Sequence, residues 1–350
     1  MNELYIPGKK HDGLVSPLKT DHLVEVHDLK KWFPVQQGFF EQFLAGRTDY
    51  VRAVDGVSFN IRRGEAFGLA GESGSGKSTI GRLVIGLEKP TEGRVIFDGI
   101  DLSTLHPEEL RKMRRRMQVI FQDPMASLNP RMSLGDTISQ GLKIHYPEEA
   151  ENHRDIIFRI MEKVGLTPQQ YFFNKFPHQI SGGQRQRVVI ARALVTNPSL
   201  ILADEPIAMA DVSVRALLLD LMVQLKNELN LTYLFITHDL ATAKYICERI
   251  GILYLGKMVE IGDLKEVYAH PLHPYTQALL AAVPKPDPHQ RRTIPLPSGE
   301  IPNPINPPSG CRFHPRCPYA REHCKMEEPV LRELRPGHWV ACDYAEQFMT

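Results

Sequence analysis

Two glycine-bearing segments of this 350-residue chain are built to hold anions, and they lie far apart in sequence. The first, Gly71-Glu72-Ser73-Gly74-Ser75-Gly76-Lys77-Ser78-Thr79, fits the phosphate-cradling pattern G-x-x-x-x-G-K-[ST]. Gly71, Gly74 and Gly76 allow backbone N–H groups to turn inward around phosphates, which side chains would obstruct. Lys77 is placed to reach the β- and γ-phosphates of a nucleoside triphosphate, and Ser78 offers a hydroxyl to Mg²⁺. A helix starting near Lys77 adds its N-terminal dipole. The second segment, Ser181-Gly182-Gly183-Gln184, also opens an expected helix, so it too can take an anion through backbone N–H groups and a hydroxyl. One nucleotide does not require two such loops in one chain.

Between and after these segments come the carboxylates and imidazole that triphosphate cleavage needs. Asp204 closes the apolar run Leu200-Ile201-Leu202-Ala203, where a carboxylate is costly unless paired or metal-bound. It is placed to organise Mg²⁺ through the ion's water shell. Glu205 follows directly, projects to a different side, and can polarise an attacking water, assistance worth roughly 10²–10⁴ in rate. Two adjacent acids could also begin a solvated loop, but a phosphate loop upstream weighs against that. Thr237-His238-Asp239 ends the next apolar strand. A histidine in such a place is more often structural, and only its position in the series raises a functional reading.

These side chains need strands and helices to hold them. The sequence predicts strands at His22–Val26, running out near Trp32-Phe33-Pro34, at Arg52–Ile61, and at Ala66–Ala70 feeding the glycine loop. A helix from Ser78 to Leu87 follows, and this strand–loop–helix context separates a real phosphate loop from a chance match. A small hairpin is expected from Gly93 to Phe97 with its turn at Asp98-Gly99, then a helix Leu110–Arg116 and a strand Met117–Phe121 ending at Gln122. Helical periodicity continues through 123–180. Ser181 opens a helix to Leu194, followed by a buried strand Leu200–Ala203, a helix Val212–Asn227 and a strand Thr232–Thr237. A helix after Asp239 leads to short strands Gly251–Tyr254 and Lys257–Ile261. Residues 1–20 lack periodicity and read as a flexible tail; 35–50 read as an insertion; and dense proline over 284–308 reads as an extended linker.

Composition narrows the function classes. With 42 basic and 41 acidic side chains the formal charge is +1, so no global field favours nucleic acid. The run Arg111-Lys112-Met113-Arg114-Arg115-Arg116 is the exception, and a solvated helix face is its simpler reading. No apolar stretch approaches the roughly 18–20 residues that span a bilayer, and the N-terminus lacks a signal-peptide core. A membrane role would have to pass through a partner that spans it.

In the order glycine loop, Ser181-Gly182-Gly183-Gln184, Asp204-Glu205 and Thr237-His238-Asp239, the chain resembles the ATP-binding subunits of ABC transporters from about residue 22 onward. The resemblance implies an α/β P-loop NTPase fold: a RecA-like core with an antiparallel β subdomain and a helical subdomain, plus a small Pro/Cys-rich C-terminal domain. It divides the chain into the tail 1–20, a nucleotide-binding domain 21–265 with its helical subdomain at about 123–184, and a C-terminal region 266–350. The cofactors it implies are ATP and Mg²⁺. It assigns Gln122 to Mg²⁺ and the γ-phosphate side, and His238 to the γ-phosphate and the support of Glu205. It also places an aromatic on adenine, a stack worth about 1–3 kcal/mol; Phe33 is favoured over Trp32 because it ends the strand. The two anion grips are reconciled by a head-to-tail dimer, in which Ser181, Gly182, Gly183, Gln184 and Asp211 face the nucleotide of the opposite subunit.

One departure stands out. Where the family commonly reads Thr-Ser-Ala-Leu-Asp, this chain has Ile207-Ala208-Met209-Ala210-Asp211. The aspartate stays but the serine hydroxyl is missing, so an unlike second ATPase subunit, and a heterodimer, is expected. Lys77, Glu205 and His238 all remain, so the chain's own site is read as active. The segments Gln122–Arg131, His273–Leu280 and Gly310–Pro318 look like the oligopeptide/dipeptide importer branch, which also includes oligosaccharide and nickel transporters. That implies two transmembrane permease subunits, an extracytoplasmic solute-binding protein acting indirectly, and a peripheral place on the cytoplasmic membrane face. Soluble ABC ATPases acting on DNA or ribosomes are the alternative class. They usually carry two nucleotide domains or a long coiled coil, and neither pattern is visible here.

Five cysteines are present. Cys311, Cys317, Cys324 and Cys342 cluster near the end with spacing C-x₅-C-x₆-C-x₁₇-C. Four thiolates can hold zinc or a [4Fe–4S] cluster, and four reduced thiols are the plain alternative. The spacing is wider than that of common zinc ribbons, and the importer resemblance favours iron. His314 and His323 lie between the cysteines as substitute ligands. Cys247 stands alone and reads as a small buried apolar residue.

Overall fold

The computed structural model describes residues 21–35, 49–283 and 299–349. The expected tail at 1–20, most of the 35–50 insertion and the first part of the proline linker lie outside them. Strands run in the order β1 (His22–Pro34), β2 (Tyr50–Arg62), β3 (Ala66–Ala70), β4 (Glu92–Phe97), β5 (Ile100–Asp101) and β6 (Met117–Ile120), followed by β7 (Leu200–Asp204), β8 (Thr232–Thr237), β9 (Arg249–Tyr254), β10 (Lys257–Asp263), β11 (Arg332–Arg335) and β12 (His338–Val340). The chain divides into two compact units. One holds Ile61–Glu65 and Phe97–Phe235 with the start of β1; the other holds Val24–Asn60, Ala66–Ile96 and the residues from Ile236 on.

In the second unit β3 is buried at every position, so its five residues read as a continuous apolar run rather than an alternation. It pairs in parallel with β9, Phe67 opposite Arg249 and Ala70 opposite Ile252. β9 turns back into antiparallel β10, and β10 takes β12 on its other edge, Glu260 opposite Val340 and Ile261 opposite Trp339. The C-terminal residues therefore extend the edge of a core sheet. Glu260 fixes the join. It is fully buried and accepts from Leu272 N at 2.8 Å, His273 N at 2.9 Å and the His338 ring at 2.7 Å. β2, β1, β4 and β5 lie side by side, in that order, in a separate sheet. Cys247 follows the helix Leu240–Ile246 as its C-cap and lies buried beneath Gly68, as its isolation suggests.

In the first unit the order is β8-β7-β6, with β6 and β7 parallel from Met117 opposite Leu200 to Ile120 opposite Ala203. The helix Gly182–Leu194 is the post around which the helical segments gather. Its arginines bind carbonyl ends of neighbouring turns: Arg185 to Pro177 at 2.8 Å, Arg192 to Ser127 at 2.6 Å, and Arg187 to Val164. Asp98, almost fully buried, is held by Arg63 and Arg116. Burial pushes its carboxyl up, but the two guanidinium bonds outweigh that and leave it below its ordinary value. No helix among the described residues is long and apolar enough to cross a membrane.

Candidate nucleotide site and C-terminal thiols

The glycine loop carries the backbone its pattern demands. Gly71, Gly74 and Gly76 have φ of 149°, 78° and 103°, a region L side chains avoid. A Cβ at Gly71 would sit 2.2 Å from the Leu253 carbonyl oxygen, and one at Gly76 2.2 Å from that of Ala53. The helix Lys77–Val84 begins at Gly76 with no side-chain cap and no acidic residue in its first turn. That terminus keeps its positive end for an anion. Lys77 is buried, and its ammonium donates to the carbonyls of Gly71 and Glu72 at 2.8 Å each and to Ser75 Oγ at 3.3 Å. The lysine is thus aligned along the loop. Ser73 and Gly74 are exposed, while Ser78 and Thr79 are half-buried on the first helical turn.

The acids occupy the end of β7. Asp204 is its last residue, after four buried ones. Glu205 has a φ of 46°, left-handed for a non-glycine residue, a strain that persists where surroundings over-determine it. Gln122, two residues past β6, donates from Nε2 to Glu205 Oε2 at 3.1 Å. The structure thus brings together a glutamine and a glutamate that sequence reasoning had assigned separately.

Ser181 caps the helix Gly182–Leu194 with a reciprocal box: its Oγ accepts from Gln184 N at 3.3 Å, and Gln184 Oε1 accepts from Ser181 N at 3.0 Å. Ser181 and Gly182 are exposed, and a Cβ at Gly182 would meet nothing within 4 Å. Gly183 instead faces Val214, 2.7 Å from where its Cβ would be. Asp211 is exposed at the N-cap of the helix Val212–Leu229 without a side-chain cap bond. In the other unit His238 is exposed just past β8. The two aromatic candidates are told apart by their partners. Trp32 donates its indole N–H to Asp55 at 3.0 Å and lies under the Arg52 guanidinium. Phe33 is 37% exposed, with the Lys31 ammonium 5.0 Å from its ring centroid.

The four C-terminal thiols are all half-buried. Burial pushes Cys311 and Cys317 up to about 11 and Cys342 up to about 12. Neighbouring thiolates add to the rise, while the backbone N–H groups of Phe313, Tyr319 and Tyr344 oppose it. Cys324 Sγ accepts from Arg321 N at 3.5 Å. Backbone N–H groups trained on sulfur suit a thiolate ligand set, so the donor chemistry fits. Among the described residues, however, no group of three or more His, Cys, Asp or Glu is gathered closely enough to hold a metal ion. His314 turns its Nδ1 to the Cys311 carbonyl, and His323 Nε2 faces Asp343 at 3.4 Å.

Comparison with known proteins joins these parts. The ABC transporter family matches residues 54–208, and the oligopeptide/dipeptide transporter C-terminal region matches 259–324. The oligopeptide transport ATP-binding protein AppF of Bacillus subtilis is 48% identical over 324 residues, covering 91% of this chain and 96% of its own. The chain belongs to the ATP-binding subunits of ABC transporters, a family of P-loop ATPases. Among solved structures, a dimeric post-hydrolysis state of the ATP-binding cassette MJ0796 bound to ADP and Pi is 33% identical with a TM-score of 0.59. It covers 69% of this chain and 98% of its own. The structure of cbiO1 from Clostridium perfringens, part of the ABC transporter complex cbiONQ, is 27% identical with a TM-score of 0.61, covering 71% and 92%.

Within this ABC ATPase, some side chains that bond to the motif segments carry no motif of their own. Gln186, buried on the helix that Ser181 caps, donates to the carbonyl of Pro206, the residue after Glu205. A glutamine on an otherwise apolar helix face is the one signal that could have found it. Tyr275 and Arg316, hundreds of positions from the glycine loop in sequence, both bind Glu72. The unusual Ile207–Ala210 stretch forms tight turns after Glu205, with Ala208 N donating to Glu205 O at 3.2 Å and Ala210 N to Ile207 O at 3.1 Å. The missing hydroxyl therefore leaves the turn itself intact.

Proposed function

We propose that this chain is the ATP-hydrolysing subunit that energises a membrane importer of di- or oligopeptides. Residues 21–265 act as the nucleotide-binding domain, with the helical subdomain at about 123–184, and 266–350 as the branch-specific C-terminal region. The observation that carries the peptide reading is the match of 259–324 to the oligopeptide/dipeptide transporter C-terminal region. It is supported by AppF, which matches nearly end to end.

In this reading Lys77 and the backbone of Gly71–Thr79 bind the triphosphate, and Phe33 stacks on adenine, since Trp32 is committed to Asp55. Ser78, Gln122 and Asp204 would hold Mg²⁺, which supplies neutralising charge to the phosphates when bound. Glu205 takes the proton of the attacking water, oriented by Gln122, while His238 supports it at the γ-phosphate. Ser181, Gly182, Gly183, Gln184 and Asp211 face the nucleotide of a second ABC ATPase subunit, so ATP is sandwiched in a dimer. That partner is a different chain, compensating for Ile207–Ala210. Closing and opening of the dimer drives two permease subunits on the cytoplasmic membrane face, fed by an extracytoplasmic binding protein. Cys311, Cys317, Cys324 and Cys342 are the residues that would hold a [4Fe–4S] cluster, with thiolate as the ligand chemistry. Iron and sulfide analysis with the visible spectrum of anaerobically purified protein decides between cluster, zinc and bare thiols.

The function is tested by uptake into vesicles holding the assembled transporter and ATP. Labelled oligopeptide should accumulate in proportion to ATP cleaved. Accumulation of oligosaccharide or nickel with no peptide uptake would overturn the substrate assignment.

A further inference from the structure

The phosphate-loop pattern leaves its second position open to any residue, and here that residue is Glu72. A carboxylate beside a site for a polyanion is unfavourable unless it is neutralised and turned away. The structure does both from the C-terminal region. Arg316 grips Glu72 with both ends of its guanidinium, at 2.7 and 3.1 Å. Tyr275 Oη accepts from Glu72 N at 2.8 Å, and the Glu72 carbonyl accepts from Lys77. Every polar group of this residue is therefore held, its carboxylate and N–H by the C-terminal region and its carbonyl by the phosphate-binding lysine.

The clamp itself is rigid. Arg316 is 8% exposed and lies in the five-residue loop between Cys311 and Cys317. In the same loop Arg312 is buried against Asp55 and the Leu255 carbonyl. Phe313, between them, is buried with its ring 5.2 Å from Tyr254 and 5.3 Å from Tyr275. Tyr254 and Tyr275 pack at 4.7 Å. The loop is a plug with one basic arm on each side of an aromatic peg.

We infer that Arg316 and Tyr275 are positioning residues for the nucleotide: by holding Glu72 they mask its charge from the triphosphate and fix the loop to which Lys77 is bound. The inference rests on the ATP-binding reading above and deepens it by giving the C-terminal region a direct part in ATP affinity. It also predicts a sign that a purely structural contact would not give. Removing the arginine exposes the carboxylate, and removing the carboxylate as well should undo the harm.

The test is MgATP binding to the full-length subunit, with the ATP dependence of hydrolysis measured alongside on the subunit assembled with its second ATPase subunit. Arg316→Gln should weaken binding about tenfold, as expected for losing a bidentate charge-assisted pair. The loss should fall on KM with kcat held, since uniform binding is removed. Arg316→Lys should recover part of it, because a point charge cannot replace the fork. The double variant Glu72→Gln/Arg316→Gln should bind within about threefold of the parent, non-additive as for residues in direct contact. Tyr275→Phe, which keeps the ring and removes only the acceptor, should weaken binding by several fold and decides the matter should Arg316→Gln not fold. Parent-like binding by Arg316→Gln and Tyr275→Phe, or a double variant no better than Arg316→Gln alone, would overturn the inference. Lys77→Ala separates the two levels. If it binds ATP normally the nucleotide reading fails, whereas if it alone abolishes binding while Arg316 is indifferent only the clamp fails.

Discussion

Glu205 sits in left-handed backbone at φ 46° with Gln122 on its carboxylate, and that combination makes one substitution unusually informative. Glu205→Gln keeps shape, strain and the reach to Gln122 while removing the base. ATP affinity should persist and turnover should fall by roughly 10²–10⁴; normal turnover would show that another group activates the water. The loop glycines give a graded test. Gly71→Ala and Gly76→Ala each drive a Cβ to 2.2 Å from a carbonyl oxygen, whereas at Gly74 the added carbon meets nothing within 4 Å. Gly74→Ala therefore bears only the φ penalty of about 1 kcal/mol. Thermal melting should rank it well above the other two, and equal losses at all three would show that contact with Leu253 and Ala53 is not what constrains the loop.

Among the elements, the helix Pro274–Ala282 has a titratable start. His273 Nδ1 accepts from Tyr275 N at 3.0 Å, and burial lowers the imidazole from 6.5 to about 3. Above about pH 6.5 it is neutral folded or unfolded and the cap is intact. As pH falls toward 3 only the unfolded chain takes the proton, so stability should drop by up to about 1.4 kcal/mol per pH unit. Urea unfolding at pH 7.5 and pH 5 should show this, and His273→Asn, which keeps a capping acceptor, should flatten it. An unchanged difference would clear His273 of the effect. Neither this cap nor the helix it opens was legible in the sequence. The run Ala66–Ala70 and the capping box at Ser181 declare themselves because their patterns are local. β1 ends at Pro34, where the strand read from His22 was expected to run out near Trp32-Phe33-Pro34. The pairing of β10 with β12, and the reach of Arg316 to Glu72 across 244 positions, leave no local period at all. The glycine loop was readable to the residue; what braces it was not.

For the molecule as a whole, the exposed face of Ser181-Gly182 is the feature to explain. A helix N-terminus with glycine clearance can receive an anion from outside, and within one subunit Lys77 and its loop are already assigned one triphosphate. Glu205→Gln, unable to discharge the bridge, should therefore gather into dimers in MgATP when purified with its second ATPase subunit, and return to monomers in ADP. Light scattering coupled to gel filtration reads this directly. Placing a carboxylate on this exposed face, Ser181→Glu, sets like charge against the partner's γ-phosphate and should abolish the dimer while leaving ATP bound to its own subunit, because Lys77 and Gly71–Thr79 are untouched. The departure at Ile207–Ala210 sharpens the expectation, since this subunit alone should dimerise less than the mixed pair. Full hydrolysis by an isolated monomer, indifferent to Ser181→Glu, would mean that one chain completes its own pocket and that the second anion grip serves some other ligand.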